Sequence, residues 1–203
     1  MQILLIVIGA LLIVFLIAAK IFNFDLREIT ELLKDFSWYI IVGVVIVVTF
    51  TFIISFQITS GYSMSPNVEQ GDIIIFNRLS SDYDRNKIIT MRDKNNKSFI
   101  KRIIGLPGEK IEYKDNMLYI NDEMVEEPFL GEDIETYNFK FTDICSEKDC
   151  PDGIIPKEMY LVLGDNRPHS EDSREFGLIT QSQIKGIAIF RMWPLNKIGG
   201  IDN

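Results

Sequence analysis

The stretch FIKRIIGLPGEKIEYKDNMLYIND, residues 99–122, decides the fold of most of this chain. Phe99–Ile104, Lys110–Tyr113 and Met117–Ile120 are short runs rich in β-branched and aromatic residues, too short for helices and broken by turn formers. Leu106-Pro107-Gly108 ends the first run, and the pairs Asp115-Asn116 and Asn121-Asp122 end the next two, as tight hairpin turns require. Working outward, Ile73–Phe76, Met159–Leu163 and Ile187–Met192 have the same character, and no long amphipathic helix interrupts them. The expectation is a mainly antiparallel β domain over residues 59–203, with a meander whose apolar side chains face one core.

The N-terminal part reads differently. Residues 3–19 carry no charge and are closed by Lys20; Ser37–Ile58 form a second apolar stretch in which Gln57 is the one strongly polar residue. Each is about long enough to cross a ~30 Å hydrocarbon layer, so two membrane helices are expected, at 1–20 and 37–58, joined by a loop at 21–36. The second is rich in Val, Ile and Thr, but strands rarely exceed about ten residues, and length favours a helix. A cleavable secretory leader fits residues 1–19 less well, because no basic region precedes the apolar run and a lysine follows it. Lys20, Arg27 and Lys34 lie in the loop, whereas no Lys or Arg occurs between Ile54 and Arg78. The basic loop is therefore expected in the cytoplasm and the β domain outside, in a multi-pass cell-membrane protein. Trp38 and Tyr39 suit an interfacial aromatic belt or ordinary packing equally.

The net charge is -8, and residues 111–153 hold thirteen acidic side chains against Lys114, Lys140 and Lys148. No basic stripe exists to neutralise phosphates, which excludes a nucleic-acid partner. The acidic segment, about 121–156, reads as a solvated insertion with weak periodicity. It contains both cysteines, in CSEKDC at 145–150. Outside the cytoplasm a small-loop disulfide between Cys145 and Cys150 is permitted, two free thiols remain open, and a metal site lacks ligands, the one histidine being His169.

Chemistry concentrates in a few blocks. In Ser60-Gly61-Tyr62-Ser63-Met64-Ser65-Pro66, Gly61 and Pro66 can fix a turn that presents the Ser63 hydroxyl as a nucleophile. Ser65 stands where a nucleophile elbow needs glycine. Gly71-Asp72 opens a strand and reads as structural. Lys101 sits among apolar neighbours; near its reference pKa of ~10.4 it would be neutral in about one molecule in a thousand at pH 7.5, so general-base work requires a dehydrated setting. Residues 164–177, GDNRPHSEDSREFG, follow an apolar strand and are dense in hydrogen-bonding groups. There Asp172 and Arg174 are placed to pair, and Ser170 to orient a lysine nitrogen.

Taken together, SM-x-P at Ser63, GD-x-I at Gly71, KRIIGLPGE at Lys101 and GDNR-x-x-S-x-DSR at Gly164 resemble the bacterial type I signal peptidases, in that family's order and from the membrane segments to Trp193-Pro194. The resemblance implies a membrane serine endopeptidase that removes signal peptides from exported preproteins by a Ser63/Lys101 dyad, without metal or cofactor. It implies that Ser170 hydrogen-bonds the lysine, that Asp165 pairs with Arg102, and that Asp172 with Arg174 supports the site. Substrates would carry small residues, typically Ala-x-Ala, one and three positions before the cut, and the lipid bilayer and the secretion translocon would lie close by. The sequence departs from the usual pattern at Asn67-Val68, and Gly61 stands where some members have a serine that helps hold the oxyanion, which leaves the Ser63 N–H as donor with the help of Ser60 open. Three other readings are a Ser-His-Asp hydrolase using His169, a self-cleaving repressor-type peptidase, and a membrane-tethered binding module with a degenerate site.

Overall fold

Alternation of buried and exposed side chains along short β-rich runs produces two antiparallel sheets, in a computed structural model that describes residues 26–93, 95–131, 134–146 and 148–201. The strands of the larger sheet are β1 (Ile54–Ile58), β2 (Ile73–Asn77), β3 (Ile88–Arg92) and β4 (Ser98–Gly105). The chain then forms β5 (Ile111–Lys114), β6 (Met117–Ile120), β7 (Glu123–Val125) and β8 (Phe139–Lys140) before returning as β9 (Met159–Leu163), β10 (Ile179–Thr180), β11 (Ile184–Trp193) and β12 (Gly199–Gly200). The large sheet has the order β1-β2-β11-β3-β4-β9-β10, with β12 on β11, and the smaller one the order β7-β6-β5-β8.

The expected turns are in place. Asp115 and Asn116 between β5 and β6, and Asn121 and Asp122 between β6 and β7, all have positive φ, the geometry of two-residue hairpins that Asn and Asp tolerate best. One cluster, with Ile104, Ile111, Tyr113, Leu118, Phe141 and Leu161 all buried, joins the two sheets. On the opposite side of β4, Ile103 packs with Ile89, Val162 and Ile187 in a second cluster. This strand is thus covered on both faces, and it is the strand that carries Lys101 and Arg102.

Several expectations are corrected. The expected span at 1–20 lies outside the described residues. Residues 26–36, read as loop, belong to helix α1 (Leu26–Val48), which a π-helical turn at Thr49–Ile53 extends. Lys34–Ile53 has the length and composition to cross a membrane, and none of it is buried. The second span was expected to run to Ile58, but Ile54–Ile58 is strand β1, paired residue for residue with β2 from Ile54↔Asn77 to Ile58↔Ile73. Continuous hydrophobicity conceals the change, because Ile and Phe suit a lipid-facing helix and a strand alike; only pairing with β2 distinguishes them. The chain divides at Thr49/Phe50 into a helical unit and a β unit.

The acidic segment is also more structured than an excursion. It supplies β7 and β8 to the smaller sheet and a one-turn helix α2 (Phe141–Ile144), and it buries Phe141, Cys150 and Ile155 in the joint core. Cys145 and Cys150 are disulfide-bonded. At the end of β4, Gly105 fits where the two sheets converge: a Cβ there would lie 2.6 Å from Ile155 Cδ1 and 3.0 Å from Leu161 Cβ. Gly105→Ala is expected to destabilise the domain by about 1–3 kcal/mol through overpacking, read as a lower denaturant midpoint with unchanged slope.

Candidate active site

Period-two alternation turns Phe99, Lys101 and Ile103 to one face of β4 and Ile100, Arg102 and Ile104 to the other. Lys101 is 1% exposed, and its Nζ donates to Ser170 Oγ at 3.1 Å. Burial dominates its protonation, pushing the amine down to about 8 from 10.5 against the opposing pull of the Asp172 and Glu171 carboxylates. At pH 7.5 a lysine so shifted is neutral in roughly a quarter of molecules, against about one in a thousand in water. Ser63 is half-buried on the turn after β1, and it lines with Lys101 a groove of about 350 Å³. No hydrogen bond joins Ser63 Oγ to Lys101 Nζ; the groove is what brings them together.

The turn bearing Ser63 is locked from several sides. Gly61 has φ +91°, open to glycine but strained for other residues. The Thr59 N–H donates to Asp72 O at 2.9 Å and the Gly71 N–H to Thr59 O at 3.0 Å, closing the loop at its base. Asp72 accepts from the Glu69 N–H at 3.1 Å and faces Arg191 at 3.3 Å, so the Gly71-Asp72 block braces this turn from below. On the far side, the Asn166 N–H donates to Ser63 O at 3.0 Å, and Asn166 Nδ2 to Tyr62 O at 3.1 Å. Gly164 passes so close that a Cβ there would overlap both the Ser63 carbonyl and Ser170 Oγ.

The loop after β9 is itself held by three buried or partly buried ion pairs, and an exposed fourth joins its Glu171 to Lys97 at 2.6 Å. Asp165 receives Arg102 through Nε at 2.8 Å and Nη2 at 2.6 Å, with both side chains 1% exposed. Asp172 Oδ1 accepts Arg174 Nε at 2.8 Å, while its Oδ2 accepts Arg174 Nη2 at 2.8 Å and the Gly164 N–H at 3.0 Å. Asp172 also caps the one-turn helix α3 (Ser173–Phe176). Sequence reasoning missed the third. Arg167, fully buried, donates from Nη2 to Glu127 at 2.5 Å, from Nη1 to Tyr113 Oη at 2.8 Å and Thr136 Oγ1 at 2.7 Å, and from Nε to Gly164 O at 3.1 Å. This network ties the smaller sheet to the loop that carries Ser170. Asn67 was missed as well: its Nδ2 donates to Asp165 Oδ2 at 2.9 Å. Its place beside Ser63 was the available signal, whereas Arg167, Glu127 and Thr136 are too far apart in sequence to be paired by reading.

His169 lies on the groove rim, exposed, its ring hydrogen-bonded to Asn166 Oδ1 at 3.2 Å. No carboxylate orients it among the described residues, so a Ser-His-Asp triad is not assembled.

The groove walls have unsatisfied backbone edges. Among the described residues β1 pairs only with β2, and Ser98–Lys101 of β4 pair only with β3. An extended peptide can add as a strand to such edges, which makes the site one built for polypeptide. A buried amine and a serine on a hydrogen-bonded turn, lining one groove, are the parts that a serine peptidase requires. The comparisons agree. Residues 29–193 match the family described as signal peptidase, peptidase S26. Signal peptidase IB of Staphylococcus aureus (strain Mu50 / ATCC 700699) is 35% identical over 178 residues, covering 79% of this chain and 91% of that protein. Signal peptidase I of Bacillus caldolyticus is 36% identical over 174 residues, covering 81% and 92%. A solved signal peptidase I from Enterococcus faecalis V583 aligns over 51% of this chain and 94% of its own at 35% identity, with a TM-score of 0.43. The chain belongs to the signal peptidase, peptidase S26, family, and is a hydrolase of the peptidase class.

The shifted amine has a stability signature. Its folded pKa of about 8 lies below the unfolded 10.5, so the unfolded chain holds the extra proton between those values and native stability rises with pH across that window. Below pH 8 the full cost of burying the charge is present. Lys101→Met, losing that cost and one hydrogen bond, is expected to be more stable than wild type by roughly 2 kcal/mol at pH 7. In thermal unfolding, the gap should close as pH approaches 10.5.

Proposed function

We propose that this protein is a membrane-bound serine endopeptidase that cleaves N-terminal signal peptides from exported preproteins, with Ser63 as nucleophile and Lys101 as general base. The observation that carries the reading is the dehydrated Lys101 amine, aligned by Ser170 in the same groove as Ser63. As Ser63 Oγ bonds to the peptide carbonyl carbon, its proton passes to neutral Lys101 Nζ, and the carbonyl oxygen becomes an oxyanion. The Ser63 N–H, which has no acceptor among the described residues, is placed to donate to it, with Ser60 and Gly61 on the adjoining turn. Collapse breaks the C–N bond, Lys101 returns the proton to the leaving amine, and an acyl-enzyme remains. Water then attacks the ester, again losing its proton to Lys101, and frees Ser63.

Small side chains, typically Ala, are expected one and three residues before the cut, where the substrate runs between the β1 and β4 edges. The apolar segment Lys34–Ile53 supports attachment to a bilayer. So does the sheet end where Ile58, Ile73 and Trp193 stand in register on adjacent strands, with Ile58 73% and Trp193 49% exposed. The reading completes with two spans, the β unit outside the cytoplasm, and preproteins received near the translocon.

Incubation of full-length protein in detergent with a preprotein, with the cut position read by mass spectrometry, tests the assignment. Ser63→Ala and Lys101→Met are each expected to lower cleavage by more than about 10³-fold, and His169→Ala to leave it intact. The acid limb of kcat/KM should turn near pH 8, with activity rising as the lysine loses its proton. Product released by either dyad variant at the wild-type rate contradicts the reading.

A further inference from the structure

Gln57 is the one strongly polar side chain in the long apolar run before the Ser63 turn, and the dyad does not use it. The strand assignment gives it a place: it lies on β1, half-buried, in the wall of the groove. Its carboxamide is fixed by the Thr90 hydroxyl, with Nε2 at 2.7 Å and Oε1 at 2.9 Å from Thr90 Oγ1. Thr90 is 1% exposed on β3, opposite Ile100 of β4, and Ile100 also lines the groove. The nearby Thr59, Val68 and Met64 complete this wall, and because the Thr59 hydroxyl is committed to Glu69 O, the anchored Gln57 amide is the polar side-chain group this wall offers. A primary amide has two hydrogens and two acceptor lone pairs, and one hydroxyl engages only part of that capacity. The remaining capacity belongs to a side chain that lines the groove.

Resting on the peptidase reading above, we propose that Gln57 determines specificity at the substrate residue three places before the cut, where it accepts serine alongside alanine and disfavours larger apolar side chains. In an extended substrate the side chains at one and three places before the cut share a face, about 7 Å apart. The nearer lies beside Ser63 and Lys101, and the farther meets the wall that carries Gln57. A serine there hydrogen-bonds the anchored amide. A valine buries against it and leaves it unsatisfied.

The test uses full-length protein in detergent and three forms of one preprotein, with Ala, Ser or Val at that position and Ala retained next to the cut. The ratio of kcat/KM for the Ser form to that for the Ala form is measured in wild type, in Gln57→Leu and in Gln57→Leu/Thr90→Val, where the double variant removes both polar partners and leaves no buried hydroxyl unpaired. Both variants are expected to lower the Ser/Ala ratio by roughly 3–10-fold, the worth of one hydrogen bond, and to raise the Val/Ala ratio. A Ser/Ala ratio unchanged in both variants overturns the proposal. Absence of cleavage of every form by wild type instead overturns the peptidase reading beneath it.

Discussion

The removal of one amine from water is the constraint on which the rest depends. Lys101 lies on β4, a strand of the large sheet covered on both faces, and the only hydrogen bond its Nζ makes among the described residues is to a serine hydroxyl. A carboxylate in direct contact would hold the proton on; the nearest acidic groups act at longer range, and burial prevails. The fold therefore holds the amine where its charge is disfavoured, at a cost of a few kcal/mol that the surrounding packing offsets.

That packing is arranged around the loop 164–177. Ser170 can orient the amine only if its backbone is fixed, and three arginines fix it from three directions. Arg102 comes from β4 beside the lysine itself, Arg174 from the loop's own helical turn, and Arg167 reaches into the smaller sheet to Glu127, Tyr113 and Thr136. The Arg102–Asp165 and Arg167–Glu127 pairs are buried, and Asp172 is buried beside a partly exposed Arg174, a setting in which removal of one partner leaves an uncompensated charge. Asn166 and Gly164 then set the loop against the Ser63 turn at van der Waals limits. The proposed nucleophile lies on the turn after β1 and the proposed base on β4, and this loop is hydrogen-bonded to both, through Asn166 to Ser63 O and through Ser170 to Lys101 Nζ.

Much of this was legible in the sequence, and the exceptions are instructive. The hairpins at Asp115-Asn116 and Asn121-Asp122, the strand around Lys101 and the Asp172–Arg174 pair can be read because turn chemistry and a two-residue spacing are local, whereas the pairing of Asp165 with Arg102, 63 residues apart, was implied by the family resemblance. Ile54–Ile58 was misread as the end of a membrane helix because an apolar run has the same composition in lipid and in a sheet edge. Ile88–Arg92 escaped notice although Asn86 before it and Asn96 after it have the positive φ of turns. The Arg167–Glu127 pair depends on the smaller sheet folding back over the loop, a tertiary fact with no local trace. Gln57 was visible as an oddity, but its meaning required β1 to be a strand.

The most direct measurement is the titration of Lys101 itself, by carbon-detected NMR of the full-length protein in detergent with lysine labelled at Cε and the resonance assigned by its loss in Lys101→Met. The account predicts one lysine titrating near pH 8, well apart from the others. A Lys101 resonance that titrates with the remaining lysines near 10.5 would contradict it.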